Sequence, residues 1–284
     1  MHAARRSSPI AVFDSGVGGL TVLHELLVAL PAEDYVYLGD SASFPYGDKQ
    51  PDELRACVAR NTTLLLDRGA KLVVIACNSA AATGLGVARA LADARRVPVI
   101  AVIEPEAEIA AAITPSGRVG VLATPATVAS GAYTGALRRF RQDVTVTEVP
   151  AGDLAPIIQS GFPFDERVVD TVRSYCEPLK EARVDTVILG CTHFPLVAPM
   201  LQRILGRDIH LVTAGHAVAA TAQRVLESRG VEAQGTDEGA YRFLCTGDVA
   251  RFRLLGTRFL QMPLGEIEAV TPAADVRPAA TLDP

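Results

Sequence analysis

The sequence predicts an α/β fold of doubly wound, mostly parallel sheets, and three observations carry that prediction. Short apolar runs alternate with amphipathic stretches along the 284 residues. Several of the runs are rich in Val and Ile and apolar without alternation, as strands covered on both faces are. Two blocks also share one plan: "DRGAKLVVIACNSAA" and "KEARVDTVILGCTHFP" each follow a helical stretch with a short turn, an apolar strand, and a cysteine at the strand's C-terminal end. These cysteines, Cys77 and Cys191, lie 114 positions apart, about a domain length, which predicts two similar domains rather than a short repeat array.

In chain order, strands are predicted over 10–13, 35–38, 71–77, 97–103, 118–123, 143–149, 185–191 and 208–213, with a weaker candidate over 241–247. Helical patterns fill the intervals at 20–30, 52–68, 80–94, 125–141, 165–182, 196–206 and 215–229. In the first of these, Leu20, Leu23, Leu26, Leu27 and Leu30 fall on one stripe, and Pro31 follows its end. Strand–helix alternation of this kind builds parallel sheets through right-handed crossovers. The Pro- and Ala-rich end, 270–284, reads as a fraying terminus.

Composition excludes several classes. Hydrophobic residues make up 49% of the chain, enough for a sizeable core. The net charge of −5 argues against a nucleic-acid footprint, which is normally basic. No apolar run approaches the roughly 20 residues of a membrane span. The start, "MHAARRSSPIAVF", has only a short apolar run that continues as a strand, so it does not read as a signal peptide. The five cysteines are Cys57, Cys77, Cys176, Cys191 and Cys245, with no CxxC among them. An odd number without metal-ligand spacing argues against a disulfide framework or a structural zinc, and a reducing cytosol is the simplest compartment.

Ligands of open α/β sheets bind beyond the carboxyl ends of the strands. Four polar turns fall at such ends: "DSGVGGL", "GDSASFPYGD", "CNSAA" and "GCTHFP". They hold Asp14, Ser15, Asp40, Ser41, Tyr46, Cys77, Asn78, Ser79, Cys191, Thr192 and His193. The glycines of the first turn miss the dinucleotide pattern, because Thr21 stands three positions after Gly18, and they serve equally to turn a strand into a helix. Asp14 reads as a helix N-cap or as a site residue. A single buried cysteine usually packs as a small hydrophobe, and Cys57, Cys176 and Cys245 are read that way. Cys77 and Cys191 differ because both end strands where a ligand lies, each with donors alongside. His193, two residues from Cys191, becomes a proton partner in that setting. Two thiols facing one small ligand suit a nucleophile with a resolving thiol, or two bases flanking one carbon. Stereoinversion at Cα needs the second, and a pseudo-symmetric pair of domains is its natural architecture. No metal or electron-sink cofactor is implied.

The segments "AVFDSGVGGLTVL", "YLGDSASFPYG", "ACNSAA" and "LGCTHFPL", in this order and spacing, closely resemble the glutamate racemases of the aspartate/glutamate racemase superfamily. "FLCTGDVARFRLLGTRFL" resembles their C-terminal segment, and the likeness spans roughly residues 9–262. The resemblance implies two similar α/β domains related by a pseudo-two-fold axis, with the active site in the cleft between them. Residues 1–100 with 212–284 would form one domain and 101–211 the other. It implies a cofactor-independent two-base racemase of glutamate, supplying D-glutamate for peptidoglycan in the bacterial cytoplasm. Cys77 and Cys191 would be the two acid–bases, with Asp14 assisting the first and His193 the second. Asp14, Ser15, Tyr46, Gly47, Asn78, Ser79, Thr192 and His193 would hold the substrate. Relatives are often dimers. The alternatives are a racemase of another amino acid such as aspartate, or a weakly catalytic binding protein on the same scaffold.

Four positions depart from the family pattern. Ser79 stands for the usual Thr, keeping the hydroxyl, and Glu104-Pro105-Glu106 stands for a usual Glu-Pro-Gly. Thr213-Ala214-Gly215 replaces an Asp-Ser/Thr-Gly turn. Gln159 aligns with the carboxylate that usually supports the histidine, so His193 should lose its charged partner unless an acid such as Asp153 compensates. The expected consequence is slower turnover in one direction.

Overall fold

A computed structural model describes residues 6–160 and 166–271. The chain alternates strands and helices as β1 (Ile10–Asp14), α1 (Leu20–Ala29), β2 (Tyr35–Gly39), α2 (Pro51–Asp67), β3 (Leu72–Ile75), α3 (Asn78–Asp93), β4 (Val99–Ala101), α4 (Ile103–Ile113) and β5 (Arg118–Ala123). It continues through α5 (Pro125–Ala129), α6 (Ala132–Phe140), β6 (Thr145–Pro150), α7 (Leu154–Gln159), α8 (Glu166–Glu181), β7 (Thr186–Gly190), α9 (Ala198–Leu205), β8 (His210–Val212), α10 (Ala214–Arg229), β9 (Tyr241–Cys245), α11 (Val249–Leu260) and β10 (Ile267–Ala269). Six strands form one sheet, in the order β10-β9-β2-β1-β3-β4, and four form a second, β6-β5-β7-β8. Every pairing among them is parallel. The chain is thus an α/β protein of two parallel-sheet domains.

Strands β1, β2, β3 and β7 are buried along their whole length, as their unbroken apolar sequences require. Their register gathers the polar turns at one edge. Asp14 pairs with Gly39, Phe13 with Ile75, and Ala123 with Gly190. Asp14 therefore ends β1, with Asp40 and Cys77 just beyond the neighbouring strands. In the second sheet, Thr124 and Cys191 leave adjacent strand ends side by side.

Local chemistry explains several boundaries. Pro51 opens α2 behind a capping box of Gln50 and Glu53. Asp248 caps α11 by accepting from the Ala250 and Arg251 amides at 2.8 and 3.0 Å. The helix predicted over 125–141 is two helices, α5 and α6, because Gly131 turns left-handed at φ +63°. The strand predicted over 97–103 stops at Ala101, and Ile103 already begins α4. The fraying predicted for 270–284 concerns a segment of which only Val270 and Thr271 lie within the described residues.

Candidate active site

The two cysteines stand at equivalent places. Cys77 is the N-cap of α3, directly after β3, and Cys191 follows β7 ahead of a short 3-10 turn at Phe194–Val197. Both thiols are buried, and both line one cavity with Ser15, Tyr46, Asn78 and His193. Its free volume of about 20 Å³ is room for roughly one water molecule. A ligand of several heavy atoms therefore enters only if the walls part. A second cavity, of about 140 Å³, lies against Asn78, Cys191 and Thr192 and is walled by Glu25, Glu106 and the Thr213–Gly215 turn.

Burial dominates the electrostatics. It pushes the Cys77 thiol up to about 12, with Asp14 adding to the rise and the Ala80 amide and Ser15 opposing it. Cys191 is pushed up further by the same cause, partly relieved by the His193 amide. The helix-start amides thus favour each thiolate but do not outweigh desolvation. Asp14 is fully buried and also raised, by burial first, while its oxygens accept from the Gly16 amide at 3.1 Å and the Thr192 hydroxyl at 3.3 Å. That last bond joins the first sheet's edge to the second's.

Other sequence-predicted residues complete the closure. Asn78 donates to Tyr133 at 2.7 Å and to Glu106 at 3.1 Å. Ser79 shares a hydroxyl contact with Thr124 at 2.8 Å, so the serine keeps the bonding expected of a threonine. Tyr46 turns its hydroxyl away from the cavity's polar groups, onto Asp40 at 2.5 Å, where Asn61 and Arg60 also converge. Gly47 sits so close to Thr124 that a Cβ would stand 2.9 Å from the threonine's own Cβ. Glycine there allows the loop that follows β2 to approach the end of β5. Asp40 supports the site from behind through Tyr46, and neither Asp40 nor Ser41 lines the cavity that holds the two thiols.

His193 is buried between the rings of Phe44 and Phe259, at centroid distances of 5.6 and 5.2 Å. Its Nε2 lies 2.8 Å from Gln159 Oε1, and its Nδ1 lies 3.9 Å from Cys191 Sγ. The amide oxygen accepts from Nε2–H, leaving Nδ1 unprotonated toward the thiol. The predicted pairing of Gln159 with His193 is therefore observed. The predicted compensation by Asp153 is not: that carboxylate is exposed and faces the Tyr175 hydroxyl at 3.4 Å. Without a charged partner, burial pushes His193 down to about 3, so the ring is neutral through the physiological range. Gln159→Glu is expected to raise this value by about 1–3 units. Histidine NMR titration of the two proteins checks it, and an unmoved midpoint contradicts the account of the ring.

Sequence reasoning missed Thr124, Tyr133 and the structural place of Glu106. Thr124 ends a predicted strand, so the strand-end rule that found the other turns would have found it. Tyr133 carries no local signal, since it lies within a single predicted helix, in what is the first turn of α6, and reaches Asn78 only through the tertiary fold.

The family model described as Asp/Glu/Hydantoin racemase matches residues 15–223. Fold and match together define the class, an amino-acid racemase built on two parallel α/β domains. The glutamate racemase of Geobacter metallireducens is 38% identical, covering 94% of this chain and 97% of its own. That of Roseiflexus is 42% identical over 92% and 94% of the two chains. The crystal structure of glutamate racemase isoform RacE1 from Bacillus anthracis superposes with a TM-score of 0.89 at 33% identity, covering 94% of this chain and 98% of that one. The Francisella tularensis glutamate racemase, crystallised with D-glutamate, does so at 0.87 and 32%, with the same coverage. The chain belongs to the glutamate racemases.

Proposed function

We propose that this chain interconverts L- and D-glutamate by a two-base mechanism without a cofactor, with Cys77 and Cys191 as the proton carriers. The observation that carries the reading is the placement of both thiols at equivalent strand ends, lining one cavity with Asn78, Thr192 and His193. One thiolate takes the Cα proton, and the opposite thiol delivers its own proton to the far face. Each turnover leaves the two cysteines with exchanged protonation states, ready for the other enantiomer. Residues 1–100 with 212–284 supply the Cys77 side, and 101–211 the Cys191 side.

Both thiols resist ionisation in the closed cavity, so a thiolate must form with help. The substrate's ammonium group supplies positive charge where Asp14, fully buried, can accept from it. Neutral His193 turns its Nδ1 lone pair toward the Cys191 thiol and orients its hydrogen, and taking that proton requires a substrate carboxylate close enough to raise the ring's basicity. On the other side Ser15 and the Ala80 amide stabilise Cys77. The two faces are therefore unequal in chemistry. Ser15, Tyr46, Gly47, Asn78, Ser79 and Thr192 close around the substrate's remaining groups. The relatives' activity makes supply of D-glutamate for peptidoglycan in the bacterial cytoplasm the matching role.

A single assay tests the reading. The pure protein, freed of added cofactors, is incubated with each enantiomer of glutamate and of aspartate while ellipticity is followed. Loss of optical activity with glutamate and not with aspartate is expected. Faster racemisation of aspartate would replace the substrate, and inertness toward both would leave a binding protein.

A further inference from the structure

Glu106 is a buried carboxylate beside the cleft to which the two-thiol reading gives no role. It occupies the position where the resembled pattern carries glycine, in the first turn of α4. Its Oε2 accepts from Asn78 Nδ2 at 3.1 Å and, in a shorter bond, from the Tyr133 hydroxyl. Tyr133 in turn accepts from the same Asn78 nitrogen at 2.7 Å. Both acceptors lie on the nitrogen side of that amide, and Asn78 Oδ1 is the atom left for a ligand. The other oxygen, Glu106 Oε1, is buried without a hydrogen-bond partner. Glu106, Asn78, Cys191 and Thr192 wall one cavity. Neither glycine nor alanine at this position could hold the amide in this way.

We propose that Glu106 is a positioning residue of the racemase site, fixing the Asn78 amide with its oxygen free for the substrate and governing by its charge how readily Cys191 holds a thiolate. The inference rests on the two-thiol reading above.

The surroundings decide when that charge exists. Burial pushes Glu106 up to about 8, against the pull of Tyr133 and Asn78. The titratable groups facing it are the Tyr133 hydroxyl on α6 and Cys191 beyond β7, both themselves pushed up by burial. Across the shared cavity from α1 and α10, Glu25 pairs with exposed His216 at 2.8 Å. Glu104 of α4 belongs to a separate surface cluster, with Arg139 of α6 at 2.8 Å and Arg89 of α3 at 3.6 Å. Glu108 of α4 and His210 of β8 are exposed. Among the described residues, the groups that hydrogen-bond Glu106 include no cation to neutralise it.

The sign follows directly. Below about 8 the carboxyl is neutral. Above that value an anion stands near Cys191 and opposes a second negative charge on the sulfur. Ionisation of Glu106 thus makes it harder for Cys191 to pass its proton to another group of the site, although rising pH still draws protons from every acid there. The two enantiomers have equal free energy, so kcat/KM must be the same in both directions at any pH. Inequality between the faces appears only as opposed differences in kcat and KM.

The test measures kcat and KM for both enantiomers from pH 6 to 9.5 in the wild type, Glu106→Gln and Glu106→Ala. Glutamine keeps an acceptor for Asn78 and Tyr133 and has no charge at any pH. Wild-type kcat/KM is expected to fall by about 5–10-fold from pH 7 to pH 9, and Glu106→Gln to lack that fall. Glu106→Ala frees the amide, raising KM by about 5-fold or more with a smaller change in kcat, and Glu106→Gln restores most of that loss. An alkaline limb in Glu106→Gln that superimposes on the wild type's overturns the inference, as does an unchanged KM in a folded Glu106→Ala. If the alanine variant does not fold, the wild type and Glu106→Gln decide alone. Cys77→Ser and Cys191→Ser run in the same series keep the two questions apart. Activity surviving in the serine variants refutes the two-thiol reading. Activity lost there, with unresponsive Glu106 variants, refutes only the role of Glu106.

Discussion

Replacing either Cys77 or Cys191 with serine is expected to lower kcat/KM for racemisation by about 10²–10⁴-fold, the usual weight of a positioned acid–base. Serine occupies almost the same volume, so the packing of these buried positions survives the change. What is lost is a group that can carry a negative charge in this cavity. Burial already pushes the Cys77 thiol up to about 12, and a hydroxyl is a far weaker acid than a thiol in the same surroundings. Racemisation needs both faces, so each single substitution should abolish most of the activity, and the double variant should be hardly worse. Ellipticity decay with each enantiomer checks this. A variant with near wild-type turnover would show that its cysteine is a packing residue, like buried Cys176.

Gly18→Ala is expected to cost about 10²-fold in kcat/KM while leaving a folded protein. A Cβ on Gly18 would stand 2.6 Å from His193 Cε1 and Nδ1, and closer still to Thr192 Oγ1. Neither neighbour can withdraw cheaply. Thr192 is bonded to Asp14, and His193 is held by Gln159 and by the rings of Phe44 and Phe259. The extra methyl must therefore push the Cys191–His193 turn away from the first sheet. Overpacking of this kind costs about 1–3 kcal/mol in stability. A displacement on the order of 1 Å at reacting groups has about a hundredfold effect on rate. Thermal unfolding and steady-state kinetics on the one variant separate the two effects. Full activity with reduced stability would mean that the close approach serves packing alone.

The sequence was most legible where both faces of an element are buried. The run "RVGVLA" is observed as β5 at the predicted bounds, because continuous apolar burial leaves one reading. It was less legible where local signals compete. Val102 and Ile103 continue the apolar run of β4, yet Ile103 opens α4 with Glu104 and Glu106 in its first turn. Helix α11 was visible only as part of a resembling segment, and β10 was not foreseen. The site followed the same division. Asp14, Cys77, Cys191 and their neighbours were singled out because strand ends converge by a general rule of α/β sheets. The pairing of Gln159 with His193 follows from the resemblance to the family pattern and is present in the structure, whereas the compensating role expected of Asp153 is not. The expectation of slower turnover in one direction also needs restating. Equal free energies of the enantiomers confine any asymmetry to kcat and KM separately. The bonds from Glu106 to Asn78 and Tyr133 join residues more than 25 positions apart on three helices, and no local pattern encodes them.

Early-time racemisation in D₂O tests the central claim, that two thiols act from opposite faces of one carbon. With either enantiomer, the product formed in the first few per cent of reaction should carry solvent deuterium at Cα, while the recovered substrate remains protiated. Product that retains its original hydrogen, or deuterium appearing equally in the recovered substrate, would contradict it by showing that one base serves both faces.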